Sequence, residues 1–169
     1  AAGVAQLTLE NVTVADINAQ AIPFTVSNGA LNIGGVSTSP SPSTNPSPSA
    51  SPVSKTVYVQ PGSQEVDMNS AASGDININD VQNFGAYEFA FTFDPQIVEV
   101  TSITEGGFLG STGRTATPVG PTTDNVNGKV TFGAFSFGTV AGPQGNGKLA
   151  TVTFTTKAVG STNLTLENV

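Results

Sequence analysis

The clearest hydrophobic pattern along the chain is strict alternation, and it is strongest in residues 85–94. Tyr87, Phe89, Phe91 and Phe93 fall on one face of an extended chain, whereas the residues between them are small or polar. Alternation with a period of two over a whole segment predicts a β-strand with one buried face. The same pattern predicts further strands in residues 55–60, 75–81, 96–103, 129–137 and 148–156.

The aromatic positions of residues 129–137 do not keep one parity. Phe132 is followed by Phe135 and Phe137, so the three rings cannot all face one side of a regular strand. One extra residue in a strand reverses the facing of the side chains that follow it. The pattern therefore predicts a β-bulge near Ala134.

The first 36 residues have the same β character. Their apolar positions alternate in short runs, separated by Gly, Pro, Asn and Asp; they are Leu7, Leu9, Val12, Val14, Ile22, Phe24, Val26, Leu31 and Ile33. No segment of the chain shows a 3.6-residue period with helix caps. About nine short strands with regular turn signals predict an all-β protein with a β-sandwich fold.

Residues 37–52 contain seven Ser, five Pro and two Thr, with no charge and no large apolar side chain. Such a stretch cannot bury enough surface to offset its ordering entropy. Proline favours polyproline II, so we predict a semi-rigid linker that reaches about 50 Å at about 3.1 Å per residue. A bare linker and an O-glycosylated one are both open, and the candidate acceptors are Ser37, Thr38, Ser39, Ser41, Ser43 and Thr44.

The two ends of the chain repeat each other. Residues 1–12 read AAGVAQLTLENV and residues 158–169 read AVGSTNLTLENV, so eight of twelve positions are identical at an offset of 157. Self-similarity at a long period is typical of tandem arrays. We interpret the chain as slightly more than one period, cut out of phase. Both copies carry an N-glycosylation triplet, at Asn11 and at Asn163, although such triplets also arise by chance in Thr-rich strands.

Composition narrows the functions that the chain can have. Only 10% of the residues are charged, the net charge is −7, and there is no His or Cys. A surface covered by uncharged polar residues is typical of extracellular and cell-surface β proteins. A negative chain is not drawn to nucleic acid or anionic lipid, and no apolar run is long enough to span a bilayer, so we expect neither partner. The missing His and Cys exclude the usual nucleophile–base pairs and transition-metal sites.

Carboxylate pairs are the remaining candidates for catalysis, as in glycoside hydrolysis. Asp75 and Asp80 are an odd number of residues apart, so they face opposite sides of a regular strand. Glu99 lies on a predicted strand, whereas Glu105 lies in a Gly-rich bend. We therefore expect no enzymatic activity.

Two acidic segments could hold calcium, which is otherwise not expected, and no other cofactor is expected. Residues 74–80 read GDININD, but a calcium loop needs its oxygens to converge on a tight turn. Because Ile76 and Ile78 alternate with the polar residues, a strand is favoured there. Asp16 is expected to cap a turn with its own side chain.

The order of the segments along the chain indicates a protein family. VYVQPGSQEV is followed by GDININDVQNFGAYEFAFTFDPQIVEVTSI, by the bend EGGFLGSTG, by NGKVTFGAFSFG and by GKLATVTFTTKAVGSTNLTLENV. This order resembles the cohesin modules of bacterial and archaeal surface and scaffold proteins. The aromatic-rich strand that ends at Asp94-Pro95 is the most specific part. The resemblance implies a nine-stranded jelly-roll sandwich.

A cohesin would continue beyond LTLENV with a final hairpin, and residues 12–35 resemble that hairpin. We therefore predict closing strands in residues 1–36, a linker in 37–52, and a main body in 53–169 that lacks its last hairpin. A sandwich with missing strands exposes unpaired backbone. Residues 12–34 could close the preceding period of an array, could be donated to another copy as in pili, or could close their own chain through the linker.

The predicted function is a non-catalytic extracellular module that forms a repetitive surface fibre, stalk or sheath with other copies, by tandem linkage or donated strands. The apolar residues of the first 36 would then pack between modules. The alternative is a cohesin receptor that binds a dockerin helix pair on one sheet face. A carbohydrate-binding sandwich is the second alternative, and the absence of Trp argues against it.

Overall fold

The computed structural model describes residues 4–27, 29–33, 55–158 and 160–166. These residues form twelve strands and one short 3₁₀ helix, Phe108–Gly110. The strands are β1 (Val4–Asp16), β2 (Thr25–Ser27), β3 (Gly29–Ile33), β4 (Thr56–Gln60), β5 (Ser63–Val66), β6 (Ala71–Val81), β7 (Phe84–Thr92), β8 (Val98–Glu105), β9 (Thr115–Asp124), β10 (Lys129–Phe137), β11 (Gly145–Thr156) and β12 (Gly160–Leu166). Within these described ranges, no helix is long and apolar enough to cross a membrane.

The strands form two sheets that share one hydrophobic core. The larger sheet has the order β5-β3-β12-β1-β7-β10-β9, and the smaller has the order β2-β4-β6-β11-β8. The predicted all-β sandwich is therefore confirmed. The described residues hold twelve strands where the pattern predicted about nine. Alternation did not identify β5, β9 and β12. β5 has only four residues, and β9 contains Pro and is exposed over most of its length.

The core is built by the predicted alternation. Tyr87, Phe89, Phe91 and Phe93 are all buried on β7, and each ring lies 6.1 to 6.3 Å from the next, centroid to centroid. The Phe91 ring also meets Phe154 of the smaller sheet edge-on, at 6.3 Å. Burying one such ring stabilises the fold by roughly 1.5 to 3 kcal/mol. Alternating aliphatic residues of the other predicted strands are buried as well: Val57, Val59, Ile76, Ile78 and Val152.

The predicted bulge near Ala134 is wrong for the pairing of β10 with β7. These strands stay in continuous register from Lys129 opposite Thr92 to Phe135 opposite Ala86. The register shift lies instead between β10 and β9, where the extra residue belongs to β9. Regular alternation consequently turns Phe132 and Ala134 inward and Phe135 outward.

The N-terminal strands lie in the same sandwich as the main body. β1 is inserted between β12 and β7, β3 pairs with β12 and β5, and β2 pairs with β4 of the smaller sheet. Within one chain this is the self-closing arrangement. Closure by another copy or by a preceding period stays a prediction, because the structure contains a single chain.

Most of the apolar residues predicted to pack between modules contact the shared core. Val14 and Ile33 are each 1% exposed, and four partly buried residues pack against them and their neighbours: Val12, Ile22, Phe24 and Val26. Leu7, Leu9 and Leu31 lie on β1 and β3, but their side chains are outside the described part of the structure, as are those of Asn11 and Asn163. The linker and its six candidate O-glycosylation residues are outside it too.

Candidate functional site

The outer face of the larger sheet is apolar where β7, β9 and β10 lie side by side. Phe135 and Phe137 are 45% and 55% exposed, and their rings lie 6.5 Å apart. Val119 of β9 is 51% exposed, and Val140, in the loop that follows β10, is 45% exposed. We call these four residues the aromatic patch. Clustered exposed apolar side chains are typical of interaction sites.

A shallow hollow lies beside the aromatic patch because the residues of the adjoining strands are small. Ala86 pairs with Phe135, Ala15 pairs with Ala86, and Gly133 pairs with Glu88. These residues, with Thr13 and Val119, line the hollow. A Cβ atom on Gly133 would come within 2.7 Å of the carbonyl oxygen of Tyr87, so the backbones of β7 and β10 leave no room for a larger residue there.

Arg114 anchors the segment that carries half of the patch. Its side chain is 8% exposed. Its guanidinium donates hydrogen bonds to Ser136 Oγ (2.9 Å) and to the carbonyl oxygens of Ser136 (3.0 Å), Gly138 (2.9 Å) and Val140 (2.6 Å). All four of these acceptors are neutral, and the planar donor geometry of arginine lets one buried charge satisfy them together. These bonds fix the backbone on both sides of Phe137.

The outer face of the smaller sheet has the opposite character. Lys148 Nζ lies 3.4 Å from Asp75 Oδ2, and Thr151 Oγ1 donates a 2.6 Å hydrogen bond to the other oxygen of the same carboxylate. Lys157 Nζ lies 3.0 Å from Glu99 Oε2. Charged and hydroxyl groups that bond to one another present a hydrated surface. The two faces of the sandwich are therefore chemically distinct, and the apolar one is the candidate binding face.

The carboxylates considered for catalysis are engaged separately. Asp75 and Glu99 bond to lysines on the smaller sheet, while Glu105 Oε2 accepts a 2.9 Å hydrogen bond from the backbone N–H of Gly107. In the described part of the chain, no three acidic residues come together as metal ligands.

Tyr87 lies near Glu105 in the interior. Its hydroxyl donates to the carbonyl oxygen of Leu149. Burial, and secondarily the charge of Glu105, raise the pKa of Tyr87, so the phenol remains protonated. The role of Tyr87 is structural, because its hydroxyl hydrogen bond joins β7 of the larger sheet to β11 of the smaller sheet.

The two acidic segments considered for calcium have local roles. Asp16 Oδ1 accepts hydrogen bonds from the backbone N–H groups of Asn18 (2.8 Å) and Gln20 (2.9 Å), which confirms that its side chain caps a turn. These bonds, the one from Gln20 first, lower the pKa of Asp16. Residues 74–80 lie within β6, as their alternation predicted.

Comparison with known proteins decides the family. The sequence profile of the cohesin domain matches residues 57–169, which is more than half of the chain. The chain belongs to the cohesin family. The resemblance seen in the sequence is thereby confirmed. No curated protein matches.

Several solved cohesin structures from Acetivibrio cellulolyticus are similar to this one. The third cohesin of ScaC, in complex with the ScaB dockerin, is 26% identical with a TM-score of 0.41, covering 53% of this chain and 62% of that chain. A type II cohesin domain from the cellulosome is 19% identical with a TM-score of 0.44, covering 56% and 63%. The type II cohesin dyad of the adaptor ScaA scaffoldin is 17% identical with a TM-score of 0.47, covering 64% and 36%. This cohesin spans less than two thirds of the first of these chains.

Sequence reasoning did not identify the aromatic patch. The change of parity after Phe132 was the available signal, and it was interpreted as a bulge. The small residues Ala86 and Gly133 pair with Phe135 and Glu88 on the outer face, so the reversed parity marks an exposed apolar surface. Recognising this requires the pairing partners, which the sequence of one strand does not contain.

Proposed function

We propose that this cohesin module is a non-catalytic extracellular receptor that binds a dockerin-type partner on the outer face of its larger sheet. Membership of the cohesin family supports the class of partner. The observation that carries the proposal is the aromatic patch on a face whose neighbouring residues are small. Phe135 and Phe137 project from that face, while Ala15 and Ala86 leave room beside them.

The chemistry of the face suits a helical partner. Amphipathic helices bind by placing apolar anchors into a hydrophobic groove, and aromatic side chains at the centre of an interface commonly carry most of the binding energy. An interface of about 1,600 Å² would be of standard size for a specific complex. Glu88 is exposed and charged, and it pairs with Gly133 across β7 and β10. A partner helix that places a basic residue next to Glu88 would therefore be favoured.

Composition supports an extracellular location. A chain with 10% charged residues and no cysteine has a surface of uncharged polar groups that does not depend on a reducing environment. The net charge of −7 disfavours nucleic acid as a competing partner.

Binding to purified dockerins tests the receptor function. Dockerin domains encoded in the same genome, together with the ScaB dockerin, would be titrated against the full chain by calorimetry. We expect the double variant F135A/F137A to weaken the binding of a cognate dockerin by at least about thirtyfold, which corresponds to about 2 kcal/mol for loss of an aromatic hot spot.

Thr104→Ala is the matched control, because Thr104 is exposed on the outer face of the smaller sheet. It should bind dockerin as the unchanged protein does. The proposal is wrong if no dockerin binds, or if F135A/F137A binds as tightly as the control.

Assembly of copies into a surface fibre, stalk or sheath is a second proposed function. It is favoured by one observation, the pairing of Leu7, Thr8 and Leu9 of β1 with the equivalent residues of the repeat in β12. The two functions are compatible, because β1 contributes Thr13 and Ala15 to the same hollow whichever copy supplies the strand.

A further inference from the structure

The two copies of the repeated sequence lie side by side. β1 and β12 run parallel, and Leu7 pairs with Leu164, Thr8 with Thr165, and Leu9 with Leu166. Each residue therefore pairs with its own equivalent in the repeat, at the offset of 157 seen in the sequence. One sequence occupies two adjacent positions of the larger sheet.

In the described part of the chain, β1 is the strand of the repeat that pairs with β7. Beyond the repeat, β1 pairs with β7 from Thr13 opposite Glu88 to Asp16 opposite Phe84. Val14 is 1% exposed and lies opposite the buried Tyr87. A Cβ atom on Gly85 would come within 2.5 Å of the backbone carbonyl of Asp16. The edge of β7 in the main body thus fits closely against the second half of β1.

The same N-terminal segment closes the smaller sheet. β2 pairs in parallel with β4, and the backbone N–H of Thr25 donates a 2.7 Å hydrogen bond to the carbonyl oxygen of Lys55. β3 pairs with the edge of β12 in the larger sheet. Residues 4–33 therefore close both sheets of the sandwich, and residues 34–54 join them covalently to the main body.

The seat is the set of edges on β7, β12 and β4 that pair with residues 4–33. We infer that it also accepts residues 4–33 of a second copy, so that copies of this chain are joined by strand exchange. The inference rests on the second proposed function. Every contact between residues 4–33 and the main body is the same whether the segment comes from the same chain or from another. The free energies of the two forms then differ only through the linker and the protein concentration.

The linker sets the concentration at which exchange becomes favourable. A short flexible linker gives an effective concentration on the order of 1 mM, and a Pro-rich linker that resists folding back lowers it. Monomers should therefore predominate in dilute solution, and exchanged forms should dominate near the millimolar range. The donated segment and the seat that accepts it are different surfaces of the chain. If each copy donates its segment to the next copy, an open fibre forms, and if two copies donate to each other, a closed dimer forms.

Cross-strand disulfides test the inference, because the chain has no cysteine of its own. The double variant T13C/E88C places two thiols at paired positions of β1 and β7. The protein would be unfolded, refolded and oxidised at concentrations from about 0.01 to about 2 mM, which span the effective concentration expected of the linker. We expect a crosslinked monomer at the low end and covalent multimers of the 17.0 kDa chain at the high end.

The double variant A90C/T131C is the control. Its two positions pair between β7 and β10 inside the main body, so it should crosslink within one chain at every concentration. Co-refolding T13C with E88C chains should also give a covalent heterodimer, in excess of what either variant forms alone.

Two results would overturn strand exchange in different ways. If T13C/E88C crosslinks only within one chain and the protein stays monomeric at every concentration, both the exchange and the fibre function are wrong. If multimers form while the disulfide still joins positions of one chain, copies associate through another surface, such as the aromatic patch. The fibre function then stands without strand exchange.

Discussion

At the scale of single residues, the candidate binding face depends on a buried cation whose hydrogen-bond acceptors in the described part of the chain are neutral. Arg114 bonds to one hydroxyl and three carbonyl oxygens around Phe137. Each hydrogen bond of a charged donor stabilises the fold more than a neutral one does. The position of half of the aromatic patch is thus determined by a residue that is not itself available to a partner.

Replacing this arginine is expected to loosen the patch and the fold together. Arg114→Ala should lower the free energy of unfolding by about 1 to 3 kcal/mol, because three part-buried carbonyl oxygens lose a charged donor. Arg114→Lys should recover only part of the loss, since an ammonium group lacks the planar fork. Chemical denaturation of the three proteins measures the difference.

Lys148→Ala is the comparison for this prediction. Its ammonium group forms a partly exposed ion pair with Asp75, and such pairs contribute about 0 to 1 kcal/mol. An Arg114→Ala protein that is no less stable than Lys148→Ala would show that the four hydrogen bonds do not hold the loop.

At the scale of elements, the fit of β1 against β7 is the contact that closes the larger sheet. The register shifts by one residue between Glu10 and Thr13, so the side chains on either side of this bulge have opposite parity. The sequence shows the same change between Leu7 and Leu9 on one side and Val12 and Val14 on the other. A bulge in a strand bends it locally, and here β1 stays paired with β7 on both sides of the bulge.

Gly85→Ala tests how closely β1 is seated. Its Cβ atom would lie 2.5 Å from the backbone of Asp16, so the strand must shift. We expect the free energy of unfolding to fall by about 1 to 3 kcal/mol, as for other overpacked sites. Hydrogen exchange should show the increase in opening mainly in β1 and β7.

Gly62→Ala is a matched control, because among the described residues no atom beyond Gly62 and its two chain neighbours would lie within 4 Å of the added Cβ. It should leave stability within about 1 kcal/mol, with any change arising from the unfolded chain. Equal effects of the two substitutions would contradict a close backbone approach at Gly85.

At the scale of the whole molecule, closure of the sandwich depends on strands that are far from the main body in sequence. Residues 4–33 supply β1 and β3 to one sheet and β2 to the other. Val14 and Ile33 are part of the single core. The sandwich is therefore complete only when this segment is seated.

Removing the segment should leave an incomplete sandwich. A chain of residues 53–169 is expected to melt at a lower temperature and to aggregate, because it exposes the strand edges of β7, β12 and β4 together with the core beneath them. Adding a peptide of residues 4–33 should restore the melting temperature and the monomeric state. Calorimetry and light scattering measure both. A truncated chain that is as stable and as monodisperse as the full one would contradict the need for closing strands.

The sequence by itself determined the class of fold, the membership of the family and most of the core. Alternation over β7 identified all four inward aromatic residues, because side chains on a strand alternate whatever the strand pairs with. The turn at Asp16 was also predictable, since an Asp side chain caps the backbone next to it. These features depend on residues that are close together along the chain.

Only the tertiary structure decided which strands are neighbours, and two functional features follow from that. Phe135 is exposed and available to a partner because its neighbour Ala86 is small and no strand among the described residues covers that face. The described parts of the repeat, in β1 and β12, are adjacent strands because residues 157 positions apart meet in one sheet. Such contacts are set by the packing of the two sheets around a common core, and no local pattern of hydrophobic and polar residues specifies them.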